Sequence, residues 1–336
     1  MAPARVAVVG AGMAGLVCAR ALVRGGCRVT LIDNGRRRGG RLSTRRIDGL
    51  AFDHGAQDFA ARDAGFAQAL QEWRAAGVVS RFAGRVVAID EGGRVGPAEA
   101  RERWVPVPST SALARHLAAG LSVETGRRIV AVHRQEEGWH LVDESGAVGD
   151  GSGPFDLVLL AVPAAQAVPL LAAAPELAAR AAAARFEPCW AVGVAPQRPL
   201  PLPYDAAVVR GSSLAWICRG TAKPGRAGAE TWMLHASPAW SEEHLEDAPE
   251  AVVAGLSRAF VEVTGHPLEA PLAAFAHRWR FARVARPVGE PCLFDAALGL
   301  GAAGDWCLGP RLEAAFLSGS ALAERVLAES SARAAG

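Results

Sequence analysis

A short apolar run, Val6-Ala7-Val8-Val9, breaks into Gly10-Ala11-Gly12-Met13-Ala14-Gly15, and apolar residues at helical spacing follow. Strand, glycine turn and helix in that order strongly restrict what the chain can become. The first glycine permits a tight turn. The second leaves the backbone bare where a ligand approaches, and the third lets the helix sit against the strand. Residues 16–23 read as the helix, Gly25-Gly26 as its end, and residues 28–32 as a second strand. Asp33 closes that strand, where a carboxylate accepts hydrogen bonds from ribose hydroxyls. The helix N-terminus offers free N–H groups and a positive dipole end to a pyrophosphate. Residues 5–33 therefore predict a dinucleotide unit, with Gly10, Gly12, Ala14, Gly15 and Asp33 as cofactor-site residues. Asp33 repels a 2′-phosphate, which argues against NADP in this pocket. Nearby Arg36, Arg37 and Arg38 read either as a phosphate clamp or as a solvated loop.

Composition removes several other classes. With 336 residues and 51% hydrophobic content, the chain can bury the cores of more than one domain. Its 36 basic and 34 acidic residues nearly cancel, so neither nucleic acid nor a membrane surface is expected as a partner. No apolar stretch approaches the roughly 20 residues that span a bilayer. The strand-like start leaves no visible targeting signal, and a cytoplasmic location is expected. Cys18, Cys27, Cys189, Cys218, Cys292 and Cys307 show neither C-x-x-C nor metal spacing and read as reduced thiols. No G-x-S-x-G nucleophile motif appears, and the histidines lack metal spacing. The chemistry is therefore assigned to a bound cofactor.

Further motifs select that cofactor. Gly39-Gly40-Arg41, a few residues after the ribose carboxylate, resembles the R-x-G-G-R signature of the flavin amine oxidase superfamily. A second match lies far away, in Leu300-Gly301-Ala302-Ala303-Gly304-Asp305-Trp306 and in Gly309-Pro310-Arg311-Leu312, which opens a final helix. The resemblance implies non-covalent FAD. It places Gly40 and Arg41 at the pyrophosphate, the backbone near Val130 against the adenine, Gln57 beside the flavin, and Asp305 on the ribityl chain. Arg311 and Leu312 bring the helix N-terminus to the flavin edge, where a positive dipole end stabilises the negative charge of reduced flavin. The implied fold is α/β: a Rossmann-type, three-layer FAD-binding domain with a mostly parallel sheet, plus an inserted α+β substrate domain with an antiparallel sheet. This architecture is shared with amine oxidases and p-hydroxybenzoate hydroxylase. The expected division is 1–60, 106–163 and 286–330 for FAD, and 61–105 and 164–285 for substrate.

Within the superfamily, Phe52-Asp53-His54-Gly55-Ala56-Gln57-Asp58-Phe59, Glu187-Pro188-Cys189-Trp190 and His277-Arg278-Trp279-Arg280-Phe281 look most like bacterial renalase-type oxidoreductases. Asp58 departs from an expected aromatic, and Pro108-Ser109-Thr110 departs from Pro-Gly-Met. The resemblance implies oxidation of 2- and 6-dihydro isomers of NAD(P)H to NAD(P)⁺, with O₂ as electron acceptor and H₂O₂ as product. Gln57, Asp58, Phe59, Ala60, Ala61, Trp216, Trp279 and Trp306 are the expected substrate contacts, core packing being the alternative for the tryptophans. His54, His235 and His277 read as hydrogen-bonding residues rather than general bases. Amine oxidases typically hold a lysine near the flavin, but this chain has only Lys223, in an apparent turn, and that weakens the amine reading. Two alternatives stay open: another FAD amine oxidase or desaturase, and a flavin-binding sensor or electron-transfer protein without turnover.

Overall fold

A computed structural model describes residues 3–146 and 153–335. The glycine turn sits at the centre of a six-stranded sheet, in the order Leu293–Asp295, Leu300–Ala302, Leu157–Leu160, Arg5–Val9, Arg28–Asp33, Ser122–Thr125. Every neighbouring pair is parallel except the Leu293–Asp295 edge. Val6, Ala7 and Val8 are fully buried, as are Val158, Leu159 and Leu160 beside them. Continuous apolar runs of this kind belong to strands covered on both faces. From Arg5–Val9 the chain crosses first to Arg28–Asp33 on one side and later to Leu157–Leu160 on the other. The carboxyl end of Arg5–Val9 is thus a topological switch point, where open α/β sheets bind ligands.

One face of this sheet is covered by helices Met13–Arg24 and Leu312–Ala335. They approach so closely that a Cβ at Gly319 would lie 2.3 Å from the Ala14 carbonyl oxygen. The other face carries the hairpin Ile129–Gln135 with Gly138–Asp143 and the helices Ala164–Leu170 and Pro175–Ala182. The three layers expected from the sequence are therefore present.

The second sheet has seven strands, ordered Ala273–Arg286, Arg185–Ala195, Trp232–Ala236, Leu214–Arg219, Ala206–Val209, Val86–Ile89, Val95–Pro97. Only the Ala206–Val209 and Val86–Ile89 pair is parallel. Helix Pro249–Thr264 covers it with Val252, Leu256, Ala259 and Phe260, and Phe260 meets Trp232 at 5.4 Å between ring centroids. No helix among the described residues is long and apolar enough to cross a membrane.

Candidate active site

A cavity of about 1550 Å³ is lined by residues drawn from both sheets and from the loops that leave the parallel one. A drug-sized ligand fills roughly 300–1,000 Å³, so there is room for a dinucleotide and a second molecule. At one end is the glycine turn. Gly10 has φ +108°, and a Cβ there would meet the Ala161 carbonyl at 2.5 Å. A Cβ at Gly15 would reach the Gly10 oxygen at 1.9 Å, so this glycine serves the packing of helix on turn and does not itself line the cavity. Gly12 faces open space, and Gly40 (φ +52°) lies against its Cα. Helix Met13–Arg24 starts without a side-chain cap and without an acidic residue in its first turn. Its leading N–H groups are left for an anionic ligand.

Asp33 accepts hydrogen bonds from the Ala11 amide (2.6 Å) and the Gly35 amide (2.7 Å). Each carboxylate oxygen keeps a second lone pair for a ribose hydroxyl. Burial pushes this carboxyl above its usual range, against the pull of those two amides. At the other end, Gly304-Asp305-Trp306, Arg311 and Leu312 line the cavity beside the first turn of the last helix. Arg41 donates to both Asp305 oxygens at 2.7 Å and to the Ala282 carbonyl at 3.0 Å. The two distant motifs are thus joined directly. Arg41, expected near a pyrophosphate, is engaged with Asp305 and lines the cavity.

The family model for flavin-containing amine oxidoreductase matches residues 98–327, and the model for NAD(P)-binding Rossmann-like domains matches residues 8–73. The first match covers more than half of the chain. The chain belongs to the flavin-containing amine oxidoreductase family. Its cofactor is FAD, and the bare glycine turn, the uncapped helix and Asp33 fit the dinucleotide half of that molecule. Three solved structures are similar in fold. A protein from Exiguobacterium sp. 255-15, assigned by name alone as a protoporphyrinogen oxidase, is 15% identical with a TM-score of 0.79 over 98% of this chain and 100% of its own. Cyclohexylamine oxidase from Brevibacterium oxydans IH-35A is 12% identical with a TM-score of 0.76, covering 97% and 99%. A redesigned putrescine oxidase is 13% identical with a TM-score of 0.70, covering 97% and 99%.

Most of the residues singled out from sequence line the family's cavity here: Gly10, Gly12, Ala14, Asp33, Gly40, Arg41, Gln57, Asp58, Phe59, Ala60, Trp216, Trp279, Asp305, Trp306, Arg311 and Leu312. Two expected positions are not among the lining residues. Val130 stands in the hairpin strand Ile129–Gln135 with its side chain 44% exposed, and it was the backbone there that the resemblance set against the adenine. Ala61 also lies outside, next to the Arg62 and Asp63 amides that donate to Glu313. Trp306 touches the cavity but is only 1% exposed, and its Nε1 donates to the Val162 carbonyl, so it packs more than it presents. Cys307 is fully buried, its thiol pushed up to about 12 by burial, and does not line the cavity.

The departure at Asp58 has a structural reason. Its carboxylate pairs with Arg103 at 3.1 Å, each side chain 6% exposed, and with Arg101 at 2.9 Å. The Arg103 guanidinium in turn lies over the Trp216 ring. At Thr110, the other departure, the backbone amide donates to Asp53 at 2.9 Å. Thr44 Oγ1 donates to the same carboxylate at 2.6 Å, with Arg226 paired to it and Lys223 at 3.7 Å. Burial raises the Asp53 carboxyl, but Lys223, Arg226 and these hydrogen bonds outweigh it and hold the group down to about 2.

Three histidines complete the wall. His54 stacks on Trp279 at 5.3 Å and approaches His277 at 4.5 Å, while its Nε2 shares a 2.8 Å hydrogen bond with Ser43. Burial first, then His277, His235 and Arg45, hold His54 down to about 3. Burial and Lys223 hold His235 down to about 4, against its hydrogen bond to His54. Burial and Arg45 also lower His277. None of the three is cationic at neutral pH, as suits hydrogen-bonding residues.

Lys223 is not in a free turn. It is 3% exposed, and Nζ donates to Gln57 Oε1 at 3.0 Å. Sequence reasoning missed this, along with the arginines of the cavity mouth. The scarcity of lysine was the one available signal.

Proposed function

We propose that this FAD enzyme oxidises the 2- and 6-dihydro isomers of NAD(P)H to NAD(P)⁺ and passes the electrons to O₂, giving H₂O₂. The observation that carries this reading is the charge of the cavity. Eleven arginines line it against three carboxylates, Asp33, Asp58 and Asp305, and no lysine. Asp58 and Asp305 are ion-paired, as are six of the arginines, which leaves Arg36, Arg37, Arg45, Arg46 and Arg62 without an ion pair among the described residues. The FAD pyrophosphate uses part of that positive field, and the remainder favours a second anion. A protonated amine meets net repulsion there, whereas a dinucleotide carries its own pyrophosphate into the field.

The rest of the wall is flat and apolar enough for a nicotinamide ring, with Trp216, Trp279, His54 and His277 facing the cavity. FAD supplies the hydride-accepting chemistry when bound. The chain orients the substrate against it and provides neutral imidazoles rather than a base, which a substrate that readily gives up hydride does not need. In this reading the FAD unit comprises 1–60, 106–163 and 286–330, and the substrate unit 61–105 and 164–285. All six strands of the mostly parallel sheet fall in the first set, and the seven-stranded sheet falls in the second apart from Arg286, which supports it. The second reading, an amine oxidase, is favoured by likeness to structures named for cyclohexylamine and putrescine oxidation.

Anaerobic mixing decides between them. The proposal expects rapid loss of the oxidised-flavin absorbance with the dihydronicotinamide isomers, NAD⁺ as product, and no response to benzylamine or spermine. Bleaching by an amine alone overturns it.

A further inference from the structure

The chain's single lysine has no contact with the cavity and still governs what the cavity wall offers. Lys223 can only donate hydrogen bonds, so the Gln57 atom 3.0 Å away is held as the amide oxygen. The opposite side of the same amide makes an independent demand. There the Asp53 and Gly55 carbonyls, the latter at 3.1 Å, both require the Gln57 NH₂. The two constraints agree, and the amide has one orientation. Its NH₂, whose two hydrogens those carbonyls take, also lies 3.4 Å from His235 Nε2, an approach that a proton on that nitrogen would oppose. The proton of neutral His235 is thereby assigned to Nδ1. A line of polarity runs from Lys223 through Gln57 to His235.

We propose that Lys223 is a positioning residue that fixes, through Gln57, the donor and acceptor pattern that Gln57 and His235 present to the cavity. A ligand there meets a wall in which neither an amide flip nor a change of imidazole tautomer is open. The charged groups around His235 are few. Lys223 and the neutral His54 face it directly, and the ion pair of Asp53 with Arg226 stands behind Lys223. The inference does not depend on which substrate the enzyme oxidises.

The test is ¹⁵N NMR of histidine-labelled, FAD-loaded enzyme, comparing wild type, Lys223→Met and Lys223→Arg. Wild type should show His235 as a single Nδ1–H tautomer, neutral at pH 6 to 8. Lys223→Met should give mixed tautomers and a His235 titration midpoint higher by about one pH unit or more, a tenfold change in proton affinity. Lys223→Arg, which keeps the donor and the charge, should restore most of the wild-type pattern. If Lys223→Met leaves both tautomer and midpoint unchanged, the proposal is wrong. Should that variant fail to fold, Gln57→Glu reads the same line. A carboxylate beside His235 should raise its midpoint at least tenfold in proton affinity, and an unmoved midpoint overturns the coupling. Inertness of the wild-type enzyme toward dihydronicotinamides would defeat the substrate assignment and leave this result standing.

Discussion

The parallel sheet shows the cavity its backbone, whereas the antiparallel sheet shows it side chains. At the carboxyl end of Arg5–Val9 the ligand-facing surface is glycine, amide N–H and a helix end, held by contacts with no room for a methyl group. At the face made by Leu214–Arg219, Trp232–Ala236 and Ala273–Arg286 it is Trp216, His235, His277 and Trp279, held by buried charges and hydrogen bonds. Backbone sites tolerate almost no substitution and bind one kind of ligand, while side-chain sites can be rewritten. That fits a fold which keeps its cofactor and varies its substrate.

The comparison is broken most severely at the seam, where Asp53 ties Thr44 and the Thr110 amide to Lys223 and Arg226. Asp53→Ala leaves two buried cations without their carboxylate and should cost about 4 kcal/mol, read by chemical denaturation. The same group makes wild type acid-sensitive. Its folded value of about 2 lies below the ordinary 3.8, so its stabilisation is complete above pH 3.8 and is lost as pH falls toward 2. Next comes the backbone side. Gly15→Ala forces a methyl onto the Gly10 oxygen and should cost about 3 kcal/mol with loss of FAD. Retention of FAD by a stably folded Gly15→Ala enzyme would contradict the backbone account.

Smaller changes sharpen the side-chain half. Arg45 lines the cavity over Phe275 and has no ion pair among the described residues. Arg45→Ala should raise KM for an anionic dihydronicotinamide dinucleotide about tenfold, equivalent to about 1.4 kcal/mol, with FAD affinity unchanged. Added salt should weaken the wild type more than the variant. The least effect comes from the imidazoles. His54 and His235 titrate at about 3 and about 4 in the folded chain, below the ordinary 6.5. Their stabilisation is therefore full above pH 6.5 and declines as pH falls toward those values. His54→Phe should lessen the fall in Tm between pH 6.5 and pH 5.5 by about 2 °C.

The same contrast explains what could be read from sequence. Glycines needed for backbone geometry recur at fixed spacing, so Gly10, Gly12 and Gly15 disclosed the parallel sheet, and Gly304-Asp305 its far end. The antiparallel face has no such spacing. Lys223 meets Gln57 across 166 positions, and Trp279 Nε1 meets the His54 carbonyl across 225, so their partnership is set by tertiary packing alone. Asp58 looked anomalous because its partner Arg103 lies 45 residues away.

The bidentate link between Arg41 and Asp305 spans 264 positions of chain. Closing so long a loop is entropically costly and slow, and on a ribosome it is impossible until the segment beyond Asp305 has emerged. A nascent chain that already holds the glycine turn and Asp33 still lacks the other wall of its pocket. Tight retention of FAD therefore waits on translation past Asp305, and the vitamin-derived ligand can stabilise only chains in which both motifs have emerged.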